Sequence, residues 1–392
     1  MKKNIFSTKL EVIDPSYGSE LTFKILELEH LRRRQLRGST PYEIFMEIKR
    51  IFYYLESLAS ARIEGNYTTL SEWVEQSIKP TSDPDDQFKE IQNIENTLEY
   101  IEEHIQENNP ITLKFIREIH KKIVSGLIVP PDGEGDTTPG KFRTKPVTIV
   151  NAIISPPIGT LVLTSVQELI EFINSDTLPQ YDLLKIALTH HRFAAIHPFN
   201  NGNGRTVRAL TYALLLKYGF SVSAASRILN PTAIFCNDRE TYYKMLGLAD
   251  TGKETDLLTW CDYVISGLKQ EVEKIDLLIE FDYVKNKILY PAIKFSAERK
   301  SITPDEEEVL LLILEKEQIM NSDVITIRPN YSELKVTRLL RKMKELNLIK
   351  PISLKSRRYT ISFSNSYLLR GVIQQLDKEG FIPNSLENTL IS

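Results

Sequence analysis

The chain has 392 residues, of which 42% are hydrophobic and 26% charged, an ordinary balance for a soluble globular protein of two or three domains. Its formal net charge of −3 gives no global sign of nucleic-acid or membrane binding, so any basic surface must be local. Cys236 and Cys261 are too few for a disulfide framework and too isolated for a CxxC metal site. No apolar run approaches the ~18 residues of a membrane span, and Met1–Phe6 leads into polar residues rather than a signal-like stretch. A cytoplasmic location without membrane partners is the resulting expectation.

Residues 20–34 and 41–60 have helical periodicity, the second with Ile44, Phe45, Ile48, Ile51, Phe52, Leu55 and Leu58 on one stripe. Gly65-Asn66 is a stop signal after it. Residues 67–78 read as a short helix, and 80–86 as a polar break. Helices then follow at about 87–106 and 112–125, with Thr112 as a cap. Residues 129–160 change character. Prolines and glycines punctuate two β-type runs, 147–150 and 152–154, and predict a hairpin or flap. Helices return at 163–174 and 181–195.

The second of these enters the most informative stretch, His197-Pro198-Phe199-Asn200-Asn201-Gly202-Asn203-Gly204-Arg205, with Arg208 three residues on. A glycine-rich turn opening a helix aims backbone N–H groups at one point, where an anion fits. Arginines add charge and forked hydrogen bonds to phosphate oxygens. An imidazole beside bound phosphate suggests phosphoryl or nucleotidyl chemistry with a general base. The bland reading is a Gly/Asn turn between helices, with the histidine as a local cap. A zinc reading of His190, His191 and His197 lacks the usual spacing, and a Walker A reading fails because GxxxxGK[ST] is absent.

Residues 226–296 stay helical, with breaks at Pro231, Asn237 and Gly252. Thr303-Pro304 followed by four acids is a strong helix start. Beyond it the pattern is that of a winged helix over 303–363: helices at 304–316, near 320–326, and Glu333–Leu346 capped by Ser332. A wing follows at 352–354 and 359–361. Between Arg328 and Arg358 ten Lys/Arg face two Asp/Glu, a local +8. Lys335, Arg338, Arg341, Lys342 and Lys344 on the third helix, with Lys355, Arg357 and Arg358 in the wing, form a footprint suited to duplex DNA. A solvated basic face or a protein-docking module would carry the same charges.

The string HPFNNGNGRTVR resembles the Fic domain signature HxFx(D/E)GNGRxxR, matching at His197, Phe199, Gly202, Asn203, Gly204, Arg205 and Arg208. It departs at Asn201, where the family usually carries an acid. Pro139-Gly140-Lys141-Phe142-Arg143, Val147-Thr148-Ile149 and Pro156-Pro157 are similar to the family's flap region. Upstream, Ser60-Ala61-Arg62-Ile63-Glu64-Gly65 fits the inhibitory-helix pattern (S/T)xxxE(G/N) of one class of the family. The resemblance implies a mainly α fold: an N-terminal helical region with the inhibitory helix (1–109), a Fic core with a small β-hairpin flap (110–268), a helical linker (269–302), the winged helix (303–363) and a C-terminal tail (364–392).

Fic enzymes typically transfer AMP from ATP to a hydroxyl of a target protein. By resemblance, His197 is the base, and Asn201, Gly202, Asn203, Gly204, Arg205 and Arg208 bind the nucleotide phosphates. Ser60, Glu64 and Gly65 belong to the inhibitory motif. Glu64 would pair with Arg208 and exclude the productive pose of the γ-phosphate. The flap would pair with the backbone of the target, a Ser/Thr/Tyr-bearing protein or the chain itself, and a homodimer is compatible. Mg²⁺ is implied beside ATP, with Asn201 at the position of its usual acid. Asn offers a carbonyl without charge. Three outcomes stay open: weaker metal use with activity kept, a different nucleotide or group, or a nucleotide-binding, DNA-binding regulator with little transferase activity.

Overall fold

The protein was analysed as a computed structural model that describes residues 5–7, 9–33, 38–79, 84–150, 152–220, 234–383 and Leu386. The expected breaks at Pro80 and Pro231, and Asn151 of the flap, lie outside the described residues.

Helical periodicity becomes helix nearly throughout. The order is α1 (Glu20–Arg33), α2 (Tyr42–Ile63), α3 (Leu70–Ile78), α4 (Asp86–His104), α5 (Leu113–Ile123), α6 (Val162–Asn174), α7 (Asp182–Ile196) and α8 (Asn203–Lys217). Then come α9 (Ile234–Asn237), α10 (Arg239–Ala249), α11 (Glu254–Leu278), α12 (Phe281–Tyr283), a π-helical stretch (Val284–Leu289) and α13 (Tyr290–Glu298). The chain finishes with α14 (Pro304–Lys316), α15 (Asn321–Ile327), α16 (Glu333–Glu345), β1 (Ile349–Pro351), β2 (Tyr359–Ile361) and α17 (Leu368–Lys378). Thr112, Thr303 and Ser332 cap α5, α14 and α16, each accepting the N–H three residues on. Thr303 and Glu306 complete a reciprocal capping box.

Two cores form. One gathers α1 and α5–α8 with α10 and α11 around Trp260, whose Nε1 donates to the Ala187 carbonyl at 2.7 Å. The other joins α2 and α3 to α12–α17. Helix α2 lies between them and is buried on almost every side, including Glu47, Lys49 and Glu56.

The structure adds detail to these expectations. Residues 147–150 and 152–154, expected as a hairpin or flap, form no paired strands among the described residues, although Ile154 lies in a bridge. The first wing strand is Ile349–Pro351 rather than 352–354, because Ile349 and Ile361 are buried partners and set the register. The stretch expected as a helical linker contains α12 and α13, whose Phe281, Ala292 and Ile293 enter the second core. The stretch expected as a tail contains α17, which buries Leu368, Leu369, Val372, Ile373 and Leu376 in that core. Among the described residues no helix is long and apolar enough to cross a membrane.

Since Leu376 is fully buried, Leu376→Ala is expected to cost about 2–5 kcal/mol, whereas truncating a solvated tail would cost almost nothing. The midpoint of urea unfolding reads the difference.

Candidate active site

Helix α7 ends at His197, which takes the left-handed conformation (φ 50°, ψ 61°) and donates its N–H to the Phe193 carbonyl at 3.0 Å. Few residues besides glycine accept this conformation, and histidine is among the more tolerant. Arg143 holds the bend. Its guanidinium donates to the carbonyls of His197 (2.7 Å), Ile196 (3.1 Å), Pro157 (2.8 Å) and Lys145 (2.8 Å). A buried cation thus sits on the negative end of α7 and ties the turn after it to the segment 145–157. Burial lowers the Arg143 pKa from its ordinary value.

The loop after His197 is braced by amides. Asn203 brackets it, accepting the Phe199 N–H and donating to the Phe199 carbonyl, both at 2.9 Å. Asn201 accepts the Gly202 N–H at 2.8 Å, and its Nδ2 donates to Gly135 O (3.1 Å) and to the Glu134 carboxylate (3.2 Å). The Asn201 N–H is taken by Asp136 at 3.1 Å. His120 accepts the Gly140 N–H at Nδ1, so Nε2 carries the proton and donates to the Asn201 carbonyl at 3.0 Å. Its ring stacks on Phe199, centroids 3.7 Å apart. Gly202 has φ +72°, and a Cβ there would meet Val124, so glycine is required twice over. Thr206 is the first residue of α8 to bond back, to the Gly202 carbonyl at 3.0 Å. The helix itself therefore leaves the first-turn N–H groups of Asn203, Gly204 and Arg205 without a partner.

Arg208 faces α2. Its Nε donates to Ser60 Oγ at 2.8 Å, and Nη2 donates to the Ser60 carbonyl at 3.0 Å and to Glu64 Oε1 at 2.7 Å. Burial pushes the Glu64 carboxyl up, but Arg208 beside it and Arg205 behind it pull it below its ordinary range. Burial likewise opposes the Arg208 charge, and Glu64 reverses that and raises its pKa. A Cβ on Gly204 would collide with Glu64 Oε1, so the carboxylate lies directly against the glycine turn. Gly65, at φ +109°, lets the chain leave α2 immediately behind Glu64.

Arg205 is committed elsewhere. It is 1% exposed and donates to Glu90 at 2.6 Å, to the Glu134 carbonyl at 2.8 Å and to the Glu134 carboxylate at 3.3 Å. A cavity of about 510 Å³ is lined by His197, Asn203, Gly204, Arg208 and Glu64, with Tyr243 and Arg239 on its far side. That volume suits a nucleotide-sized ligand. Asn201, Gly202 and Arg205 are not among its lining residues. In this structure Glu90 and Glu134 hold the Arg205 guanidinium, while its Nε is buried with no hydrogen-bond partner among the described residues. His190 and His191 are packing residues: His190 bonds Thr211 and Tyr242, and His191 bonds Asp250. Glu90, Glu134, Arg143 and the His120–Asp136 pair were not singled out as site residues. Only Arg143 carried a sequence signal, lying in the Pro139–Arg143 string quoted for the flap.

Residues 110–215 match the Fic/DOC family. The chain carries a Fic/DOC domain. It is 30% identical over 208 residues to the protein adenylyltransferase Fic of Drosophila erecta, covering 52% of this chain and 38% of the relative. The chain thus spans well under half the length of the curated relatives it matches. In fold it resembles a Fic family protein from Desulfovibrio desulfuricans, with a TM-score of 0.53 at 17% identity over 91% of this chain and 98% of that one. A Fic domain containing signaling protein from Bacteroides thetaiotaomicron gives 0.52 at 19% identity over 65% of this chain and 97% of that one. The similarity to the first extends beyond the Fic domain to helices on both sides of it.

The site imidazoles are held neutral. Burial, with help from the Arg143 charge, lowers His197 to about 4; burial lowers His120 to about 4 and puts His190 well below 6.5. In the unfolded chain they protonate near 6.5, so acid is bound there first. Their contribution to stability is complete above about pH 6.5 and is lost as pH falls toward 4. Urea unfolding at neutral pH and in mild acid is expected to show that loss, reduced in His120→Gln if the variant keeps its fold. Arg143→Met would orphan buried carbonyls and cost at least the roughly 1–3 kcal/mol of one unpaired acceptor, read from the same midpoints.

Proposed function

We propose that this chain is a Fic-type protein adenylyltransferase whose own helix α2 holds it in check. One observation carries the reading: Ser60 and Glu64 occupy Arg208 at a cavity that His197 also lines. The 30% identity to a protein adenylyltransferase Fic supplies the reaction class and ATP as the donor.

In the reaction, a hydroxyl of the target protein attacks the α-phosphorus of ATP. The new bond is a phosphoester to AMP, the bond broken is that to the β-phosphate, and diphosphate leaves. His197 takes the hydroxyl proton; its low pKa keeps the ring unprotonated and ready at neutral pH. The first-turn N–H groups of α8 face developing phosphate charge with no side chain at Gly204 to hold it off. Arg208 is the cation left for the terminal phosphate, and Glu64 competes for it. A carboxylate already in place makes a charge-assisted contact that the phosphate must displace. Arg205 fixes the start of α8 against α4 through Glu90 and is the second guanidinium proposed for phosphate oxygens.

The donor set suits a divalent cation in part. Mg²⁺ sites often use one or two carboxylates, with phosphates and water supplying the rest. Asn201 Oδ1 and the Glu134 carboxylate beside it are the oxygens this chain would offer, so the acid missing at position 201 has a neighbour in the preceding loop. When bound, the cation would neutralise phosphate charge.

The C-terminal unit, α14–α16 with β1 and β2, is read as a winged-helix module that binds duplex DNA. Of the ten cations between Arg328 and Arg358, four are spent on acids: Arg328, Arg341, Lys342 and Lys350. Lys335, Arg338, Lys344, Lys355, Arg357 and Arg358 are exposed and form no ion pair among the described residues, although Arg358 acts on Asp323 and helps to lower its pKa. Those six favour a polyanion.

With ATP, Mg²⁺ and labelled AMP transfer as the readout, Glu64→Gly is expected to raise the rate about 10- to 100-fold. That range corresponds to the ~1.5–3 kcal/mol of a charge-assisted hydrogen bond. His197→Ala added to Glu64→Gly should lower it by about 10²–10⁴-fold, the usual loss of a general base. Asn201→Asp should lower the Mg²⁺ requirement. Unchanged labelling in Glu64→Gly with ATP still bound would end the inhibitory reading. No label in any variant, with DNA retained, would favour the regulator.

A further inference from the structure

Helix α2 carries a second buried carboxylate, far from the nucleotide cavity. Glu47 is 6% exposed, and every donor it meets belongs to the C-terminal module. Lys350 Nζ donates to Oε1 at 2.6 Å. The Phe363 and Ser364 N–H groups donate to Oε2 at 2.8 and 2.9 Å, and Ser362 Oγ joins at 3.3 Å. Lys350 lies on β1, and residues 362–364 follow β2 directly. The base of the wing hairpin is therefore clamped on α2. The tip of the same hairpin carries Lys355, Arg357 and Arg358, all exposed and in no ion pair among the described residues, beside the fully exposed Leu354. Asp323 is the acid on which Arg358 acts.

One short hairpin thus has a cationic tip in solvent and a base closed around a carboxylate of the inhibitory helix. The helix between has neither glycine nor proline from Tyr42 to Ile63, so it transmits displacement as a rod. Glu47 and Ser60 are 13 residues apart, about 20 Å along the axis. Apolar packing strengthens the union, since Ile44, Phe45, Ile48 and Ile51 share a core with Val336, Leu340, Met343, Leu348 and Ile349. Lys49, paired with Glu102 of α4 at 2.6 Å, gives the rod a fulcrum near the clamp.

We propose that the wing hairpin couples DNA at its tip to the inhibitory contact: duplex bound by Lys355, Arg357 and Arg358 shifts the hairpin base, and Glu47 carries that shift along α2 to loosen Ser60 and Glu64 from Arg208. The coupling rests on Glu64 being the inhibitory group and on the basic face taking DNA. Glu47 is a positioning residue, acting on the cavity only through the helix. By linkage, nucleotide that displaces Glu64 must in turn strengthen DNA binding.

The test uses the full chain, a mixed-sequence DNA duplex about two turns long, anisotropy for binding and hydrogen exchange of residues 57–66 for release. Neither readout needs AMP transfer, so failure of the transferase reading and failure of the coupling are separable. In wild type, saturating duplex is expected to speed exchange in 57–66 about fivefold or more, the low end of ordinary allosteric couplings. Replacing Lys355, Arg357 and Arg358 together by alanine should lower the salt slope of binding by nearly three, at ~0.9 per phosphate contact, and abolish the exchange response. Glu47→Gln, checked by thermal melting, should bind duplex as wild type does while its 57–66 exchange no longer responds. Duplex binding without an exchange response in wild type would overturn the coupling. So would a response that survives Glu47→Gln, or no duplex binding by wild type at low salt.

Discussion

A single guanidinium organises this molecule. Arg208 is buried at the first turns of α8, and a buried cation must be paired and hydrogen-bonded. In the resting chain Ser60 and Glu64 meet that demand from α2. The same demand can be met by a terminal phosphate, and the two cannot be satisfied together. Inhibition in this reading needs no distortion of the catalytic loop, only occupancy of one ligand position by the chain's own carboxylate.

The rest of the site is braced by buried contacts. Arg143 locks His197 into its left-handed turn, the two hydrogen bonds of the Asn203 amide lock the loop, and Arg205 anchors α8 to α4 through Glu90. These contacts are charge-assisted or reciprocal. Helix α2 differs. It holds Glu64 at one end and offers Glu47 to a separate module at the other, so its position reflects two surfaces. A module welded to α2 through a carboxylate and a shared apolar core is placed to influence the site without contributing a residue to it.

Much of the fold was legible because its signals are local. Caps at Thr112, Thr303 and Ser332, the periodicity of α2 and the glycine turn at 202–204 are all written within a few residues. The resemblance carried His197, Arg208, Ser60 and Glu64, and the structure places these four around one cavity or its arginine. The hairpin or flap expected over 147–154 spans Asn151, outside the described residues, and shows no paired strands on either side of it. The burial of α13 and α17 was not legible locally, because both helices are short and polar on one side and pack on a core assembled from distant residues.

By itself, then, the sequence determined the phosphate-suited turn, the imidazole beside it, the arginine three residues on and the carboxylate upstream. Each of these is a property of residue type and short spacing. Only the tertiary structure decided what each arginine meets. Arg205 and Arg208 look equivalent in the string, yet one is held by Glu90 and Glu134 and the other by Ser60 and Glu64 of α2. It also decided that Asn201 braces a loop and that Glu47 meets Lys350 and residues 362–364. Those outcomes depend on contacts between residues dozens to hundreds of positions apart, and no local pattern encodes them.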